Sequence, residues 1–343
     1  MNKLIAVLAG VVAAASLAGA AGAQEKLVVA GYGGSFEDTM RKEVFPPFEK
    51  KHNVKIDFVA GNSTNTIARL QAQKSNQEID VAIVDDGPMY QAIALGFCAP
   101  IQGLPTDDLY PTARYKDDKA VGIGIVATGL MYNKKAFAEK GWAAPTSWTD
   151  LADPKFKKLV VIPPLNNTYG LYTVVEFARE GGGGEKNIDP GFTAFKDKIN
   201  PNVLVYEPSP GKMTELFQSG QAVIGVWGTA RAKALSDTGF PVGFVYPKEG
   251  AYALLASVCP VAKTKTSPLA QEFVRHLLTP EIQMKLAVDG GFGPVNRKTE
   301  IKDDVNVPMP IGKRAADLIV VDWDTINANR EAWNKRWTRE IER

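Results

Sequence analysis

Residues 120–133, Ala-Val-Gly-Ile-Gly-Ile-Val-Ala-Thr-Gly-Leu-Met-Tyr-Asn, form one long, mostly apolar segment punctuated by Gly122, Gly124 and Gly129. Apolar runs of β-branched residues bounded by turn residues read as buried strands. Glycine inside such a run marks a bend or a close backbone approach. Few strands need this length, and α/β patterns of similar size lie on either side. The segment is therefore read as a hinge strand that leaves one α/β lobe and enters a second. A buried strand pair with a Gly turn is the plainer alternative.

A chain of 343 residues suits two domains. Its ends differ in kind. Lys3 opens a positive n-region, Leu4 to Ala18 form an apolar run, and Ala21-Gly22-Ala23 is an A-x-A cleavage site. Residues 1–23 are expected to be a cleaved signal peptide. The lipoprotein variant would need Cys at position 20, which is Ala. The mature chain is thus expected free in a bacterial periplasm. Losing Lys3 from 40 basic residues leaves 39 against 38 acidic ones. So balanced a charge gives no support to a nucleic-acid or anionic-membrane partner. Cys98 and Cys259, each at the end of an apolar element, could form a disulfide in an oxidising compartment or remain two buried thiols.

Along the chain, strand, polar loop and helix alternate. Leu27–Ala30 leads into Gly31–Ser35, then a helix with Phe36, Met40, Val44 and Phe48 on one face. Val54, Ile56 and Phe58 alternate as a strand ending in Gly61–Asn65, and Ile79–Val84 runs into Asp85-Asp86-Gly87-Pro88. Past the hinge, Leu159–Ile162, Val203–Tyr206 and Ala222–Trp227 repeat the pattern. This is βαβ logic. The C-terminal stripe Trp333, Trp337 and Ile341 reads as packing.

Motifs for covalent chemistry are missing. G-x-G-x-x-G fails because position 36 is Phe, and neither a P-loop nor a G-x-S-x-G elbow occurs. His52 and His276, the only histidines, have no ligand or triad partner at a suitable spacing. No cofactor is expected. What remains is a set of polar loops at strand C-terminal ends, where open α/β sheets bind ligands. They are Tyr32–Ser35, Asn62–Asn65, Asp85–Gly87, Asn166–Tyr169 and Trp227–Arg231. Helices begin just after several of them, so free N–H groups could receive ligand oxygens. Simple helix capping is the competing role for each.

The chain resembles periplasmic solute-binding proteins of ABC importers, on the spermidine/putrescine-binding branch. The carriers are Ala30–Ser35, Ile79–Val84, Leu130–Lys134, Pro145–Leu151, Gln218–Trp227 and Cys259–Lys263. Each is loose alone; their order and spacing are specific. The resemblance implies a type II periplasmic binding protein: two Rossmann-like α/β lobes joined by hinge strands around a ligand cleft. The expected lobes are 24–125 with 255–300, and 126–254 with 301–343. It also implies a membrane permease as partner, a monomer, and no catalysis; a periplasmic hydrolase is the alternative from another class.

Polyamine sites cage ammonium groups with carboxylates and aromatic faces. This chain keeps Trp227 and Phe292, but the expected acidic-aromatic pair appears as Ala253 and Leu255, and the expected acidic positions after Ile162 carry Asn166, Asn167 and Thr168. Arg231, one helical turn past Trp227, could pair a carboxylate bidentately. Asp85 and Asp86 could receive one amine. The expected ligand is therefore a small carboxylate-bearing or zwitterionic organic solute rather than a polyamine. The candidate ligand residues are Tyr32, Gly34, Ser35, Asn62, Asp85, Asp86, Gly87, Asn166, Asn167, Thr168, Trp227, Arg231, Tyr252 and Phe292.

Overall fold

The structure, a computed structural model, describes residues 25–302 and 307–342; the expected signal peptide lies outside the described residues. Nine strands are present among them: β1 (Glu25–Tyr32), β2 (Val54–Gly61), β3 (Val81–Asp85), β4 (Val121–Asn133), β5 (Val160–Ile162), β6 (Val203–Tyr206), β7 (Ile224–Gly228), β8 (Val242–Val245) and β9 (Tyr252–Pro260). They follow the order β2-β1-β3-β9-β4-β7-β5-β6, with β8 on β4. Two parallel sets, β2-β1-β3 and β7-β5-β6, are thereby joined through antiparallel β9 and β4. This is the two-lobed α/β architecture expected from the sequence.

Val121–Asn133 form one unbroken 13-residue strand, β4, not a pair joined by a turn. Its first part, Val121–Thr128, pairs with β9. Its second part pairs with β7 through Thr128–Tyr132 and with β8 through Leu130–Asn133. One strand is thus committed to both halves. Gly129 explains how it fits: a Cβ there would stand 2.4 Å from the carbonyl oxygen of Val245. Any side chain would push β8 away.

The helix expected to carry Phe36, Met40, Val44 and Phe48 forms with a wide π turn in its middle. Ser35–Thr39 and Phe45–His52 are α-helical, and Met40–Val44 is π. Pro46 and Pro47 have no N–H to give the preceding turn, and the Phe45 N–H donates to the Met40 carbonyl instead. A four-residue repeat drifts around a 3.6-residue helix, and the wider turn corrects the drift. All four side chains are buried.

Two long-range ties complete the frame. Cys98 and Cys259 are joined by a disulfide with a Cα–Cα distance of 5.6 Å, fastening the loop after the helix Asp86–Ala94 to β9. The C-terminal helix Trp323–Glu340 buries Trp333 and Trp337, with Ile341 buried just beyond its end. Trp337 packs edge-on to Phe195 and Tyr206, at 5.1 and 4.9 Å. The stripe is packing.

Candidate functional site

The two parallel strand sets point their C-terminal ends at a common cleft of about 530 Å³. From one half come Tyr32–Gly34 after β1, Ala60–Asn65 after β2, and Asp85 with Pro88 after β3. From the other come Pro163 and Asn166–Tyr169 after β5, Pro208–Gly211 after β6, and Trp227, Ala230 and Arg231 around the end of β7. Val126, Leu254 and Phe292 line it from β4, β9 and the segment after the helix Pro280–Val288.

Helix starts ring this space. Gly34, Asn62, Asp85, Asn167 and Ser209 are each the N-cap of a helix and each line the cleft. Several caps are already engaged, as the capping alternative requires. Asn62 accepts from the Asn65 N–H at 2.8 Å while Asn65 Oδ1 accepts from the Asn62 N–H at 3.2 Å. Asn167 accepts from the Tyr169 N–H at 3.0 Å. The dipoles of these helices still place positive potential at the cleft.

Arg231 is the only cationic residue lining the cleft among the described residues, and Asp85 the only acidic one. Arg231 sits in the first turn of the helix Thr229–Asp237. Its Nη1 donates to Ser35 Oγ of the opposite half at 2.9 Å. Burial pulls its pKa below the usual guanidinium value, against the opposing pull of Tyr169, Tyr32, Asp85 and Asp38. Gly34 makes room for it. That residue adopts φ +66, and a Cβ there would come within 3.3 Å of Arg231 Nη1. Tyr32 offers a buried hydroxyl beside Asp85. Burial, reinforced by Asp85, raises the Tyr32 pKa, and burial raises that of Tyr169, so both phenols stay neutral.

Two further bonds cross the cleft. Thr64 Oγ1 donates to the Asn166 carbonyl at 3.1 Å. Thr168 Oγ1 donates to Asp85 Oδ2, and the Asp85 N–H is held by Ser63 Oγ at 3.0 Å.

The structure brings together Tyr32, Gly34, Asn62, Asp85, Asn166, Asn167, Thr168, Trp227, Arg231 and Phe292 at the cleft. Ser35 reaches it through its bond to Arg231. Three expected residues are corrected. Asp86 and Gly87 belong not to a loop but to the first turn of the helix Asp86–Ala94, which turns them away from the cleft. Asp86 Oδ2 accepts from Trp323 Nε1 at 2.9 Å, and a Cβ on Gly87 would strike the Trp323 ring at 2.3 Å. Tyr252 is fully buried, stacked on Tyr172 at 5.0 Å, with its hydroxyl donating to Glu176 Oε2 at 2.5 Å.

Burial pushes the Asp86 pKa up to about 8, with Asp85 adding to the rise and the Trp323 bond opposing it. A carboxyl whose folded pKa exceeds its unfolded one stabilises fully below the ordinary carboxylate range. That contribution then fades as pH rises. Asp86→Asn should therefore flatten the loss of stability between about pH 4 and about pH 8, read from urea midpoints. Parallel profiles for the two proteins would show that Asp86 is ionised throughout.

The sequence reading missed Pro208–Gly211, although Glu207-Pro-Ser follows a strand and leads into the helix Pro210–Gln218. The rule that found the other loops would have found it. Val126 and Leu254 were missed because which face of a hinge strand meets the cleft depends on the sheet's twist. No metal-holding group of three His, Cys, Asp or Glu side chains occurs among the described residues.

A cleft of paired helix starts between two α/β halves defines a ligand-capturing protein. The model of the bacterial extracellular solute-binding protein family matches residues 43–308, and the chain belongs to that family. A protein of Haemophilus influenzae is 26% identical over 351 residues, covering 99% of this chain and 98% of its own. The spermidine/putrescine-binding periplasmic protein of Escherichia coli is 23% identical over 171 residues, covering 50% of this chain and 47% of its own. Among solved structures, a periplasmic binding protein of Actinobacillus pleuropneumoniae with bound fructose-6-phosphate has a TM-score of 0.77. It is 22% identical, and the match covers 93% of this chain and 99% of that one. The chain is thus the extracytoplasmic solute-binding component of an ABC importer, working with a permease, and not an enzyme.

Proposed function

We propose that this protein captures a small carboxylate-bearing or zwitterionic organic solute, anchored by Arg231. The observation that carries this reading is a buried guanidinium inside a ring of helix N-termini, with a single carboxylate among the described lining residues. A dication would meet the positive ends of those helices and one acid. An anionic head group finds Arg231, free N–H groups and the Tyr32 hydroxyl, while Trp227, Leu254 and Phe292 accept an apolar body. Ligand atoms bridging both halves would favour the shut cleft, so capture proceeds by hinge closure through β4 and β9. The lobes that close are 24–125 with 255–300 and 126–254 with 301–343. The mature protein is a periplasmic monomer released by signal-peptide cleavage and not lipid-anchored.

A thermal-shift screen of the mature, ligand-stripped protein tests this reading. The panel holds C3–C5 hydroxy and dicarboxylic acids, α-amino acids, γ-aminobutyrate, a sugar phosphate, putrescine and spermidine. A solute at 100 times its Kd adds about 2.7 kcal/mol to stability. Shifts with carboxylates and none with diamines are expected; shifts with diamines alone would reverse the assignment.

A further inference from the structure

Asp85 is placed as the natural partner of a ligand ammonium: acidic, at a strand end, and on the cleft wall. Yet its carboxylate is engaged. Oδ2 accepts from Thr168 Oγ1, and Thr168 comes from the opposite half of the molecule. Among the described residues Thr168 has no other side-chain hydrogen bond, and it is buried, with 2% of its surface exposed. It opens the helix Thr168–Glu180 directly after the Asn167 cap, so its position is fixed by that helix start. Ser63 Oγ meanwhile accepts from the Asp85 backbone N–H and fixes the carboxylate's origin. The two side chains therefore meet across the cleft.

We infer that Thr168 is a specificity-determining residue: by capping Asp85 Oδ2 across the cleft it lowers the acid's capacity for a ligand amine and biases the site against amines. This deepens the proposed function and rests on it for the other end of the ligand, at Arg231. Chemically, a carboxylate oxygen already receiving a hydroxyl proton has less capacity for an ammonium donor. An amine seeking Oδ2 would compete with Thr168, and displacing it would leave a buried hydroxyl unpaired. A neutral or anionic tail meets no such obstacle. Thr168→Val keeps the shape and removes the oxygen, freeing Asp85 Oδ2 to join Oδ1 in receiving a ligand donor.

Succinate, γ-aminobutyrate and putrescine form a four-carbon series running from two negative charges to two positive ones. Calorimetric titration of each into the wild-type protein, Thr168→Val and Thr168→Val/Asp85→Asn makes the test. Thr168→Val is expected to gain about tenfold or more for putrescine and γ-aminobutyrate relative to succinate. The double variant should lose that gain, because the amide that replaces the Asp85 carboxylate carries no charge for the amine. Absence of the gain in a Thr168→Val protein with a wild-type circular dichroism spectrum overturns the role of Thr168, whatever succinate does. A gain in Thr168→Val that persists in the double variant also overturns it, since Asp85 would not be the group released. If the gain appears and disappears as expected but wild-type protein binds putrescine more tightly than succinate, Thr168 keeps its role and the carboxylate reading fails.

Discussion

Arg231→Ala should abolish most of the affinity for a carboxylate solute. Truncating one partner of a buried, hydrogen-bonded charge pair costs about 2–5 kcal/mol, about thirtyfold at the lower end. Two features put Arg231 in that class. It lines a cleft whose other described side chains include no second cation, and its guanidinium is buried enough to feel desolvation as the largest influence on its pKa. Among the described residues only its Nη1 has a protein partner, Ser35. Arg231→Lys should recover part of the loss, since an ammonium keeps the charge without the planar fork. The measurement is titration of whichever acid gives the largest thermal shift, with the unliganded melting temperature as control for folding. Unchanged affinity in Arg231→Ala would remove this residue from the site.

The second large effect is on stability. Cys98 and Cys259 are 161 residues apart, and closing so long a loop in the unfolded chain is worth about 5 kcal/mol in the entropic model. Cys98→Ala/Cys259→Ala should lower the urea midpoint by an amount of that order, or somewhat less if the unfolded chain retains structure. Both cysteines lie in the set of buried residues around β1, β3 and the helix Asp86–Ala94, away from the cleft. Ligand affinity should therefore change little while stability drops. A midpoint equal to wild type would show that the bond adds nothing to the fold.

Much of this architecture is legible in the sequence because its determinants are local. The length and apolarity of residues 120–133 fit a strand shared between two halves, and one 13-residue strand forms over Val121–Asn133. The polar loops after Val84 and Ile162 sit at the cleft because parallel strands place their C-terminal ends together. What escapes is whatever depends on a distant partner. Asp85 and Asp86 are adjacent and identical in type, yet one is the helix cap facing the cleft and the other begins the helix beneath it. The difference is fixed by Trp323, whose indole is 237 residues away from Asp86 in the chain. Tyr252 likewise has an aromatic's credentials for a binding wall, but Tyr172 and Glu176 take both its face and its hydroxyl. The capping of Asp85 by Thr168 belongs to the same class. Nothing in Asn-Asn-Thr announces it.

The pairing of β3 with β9 also sets a timetable. A chain is made from its N-terminus, so β1, β2 and β3 exist long before residues 256–260 arrive to cover the free edge of β3. Until then that edge is an open template for wrong partners, and Cys98 is a thiol without its mate. The β2-β1-β3 set cannot gain its β9 partner until residues 256–260 have been synthesised. Completing the sheet around β3 is therefore an event of the last quarter of synthesis.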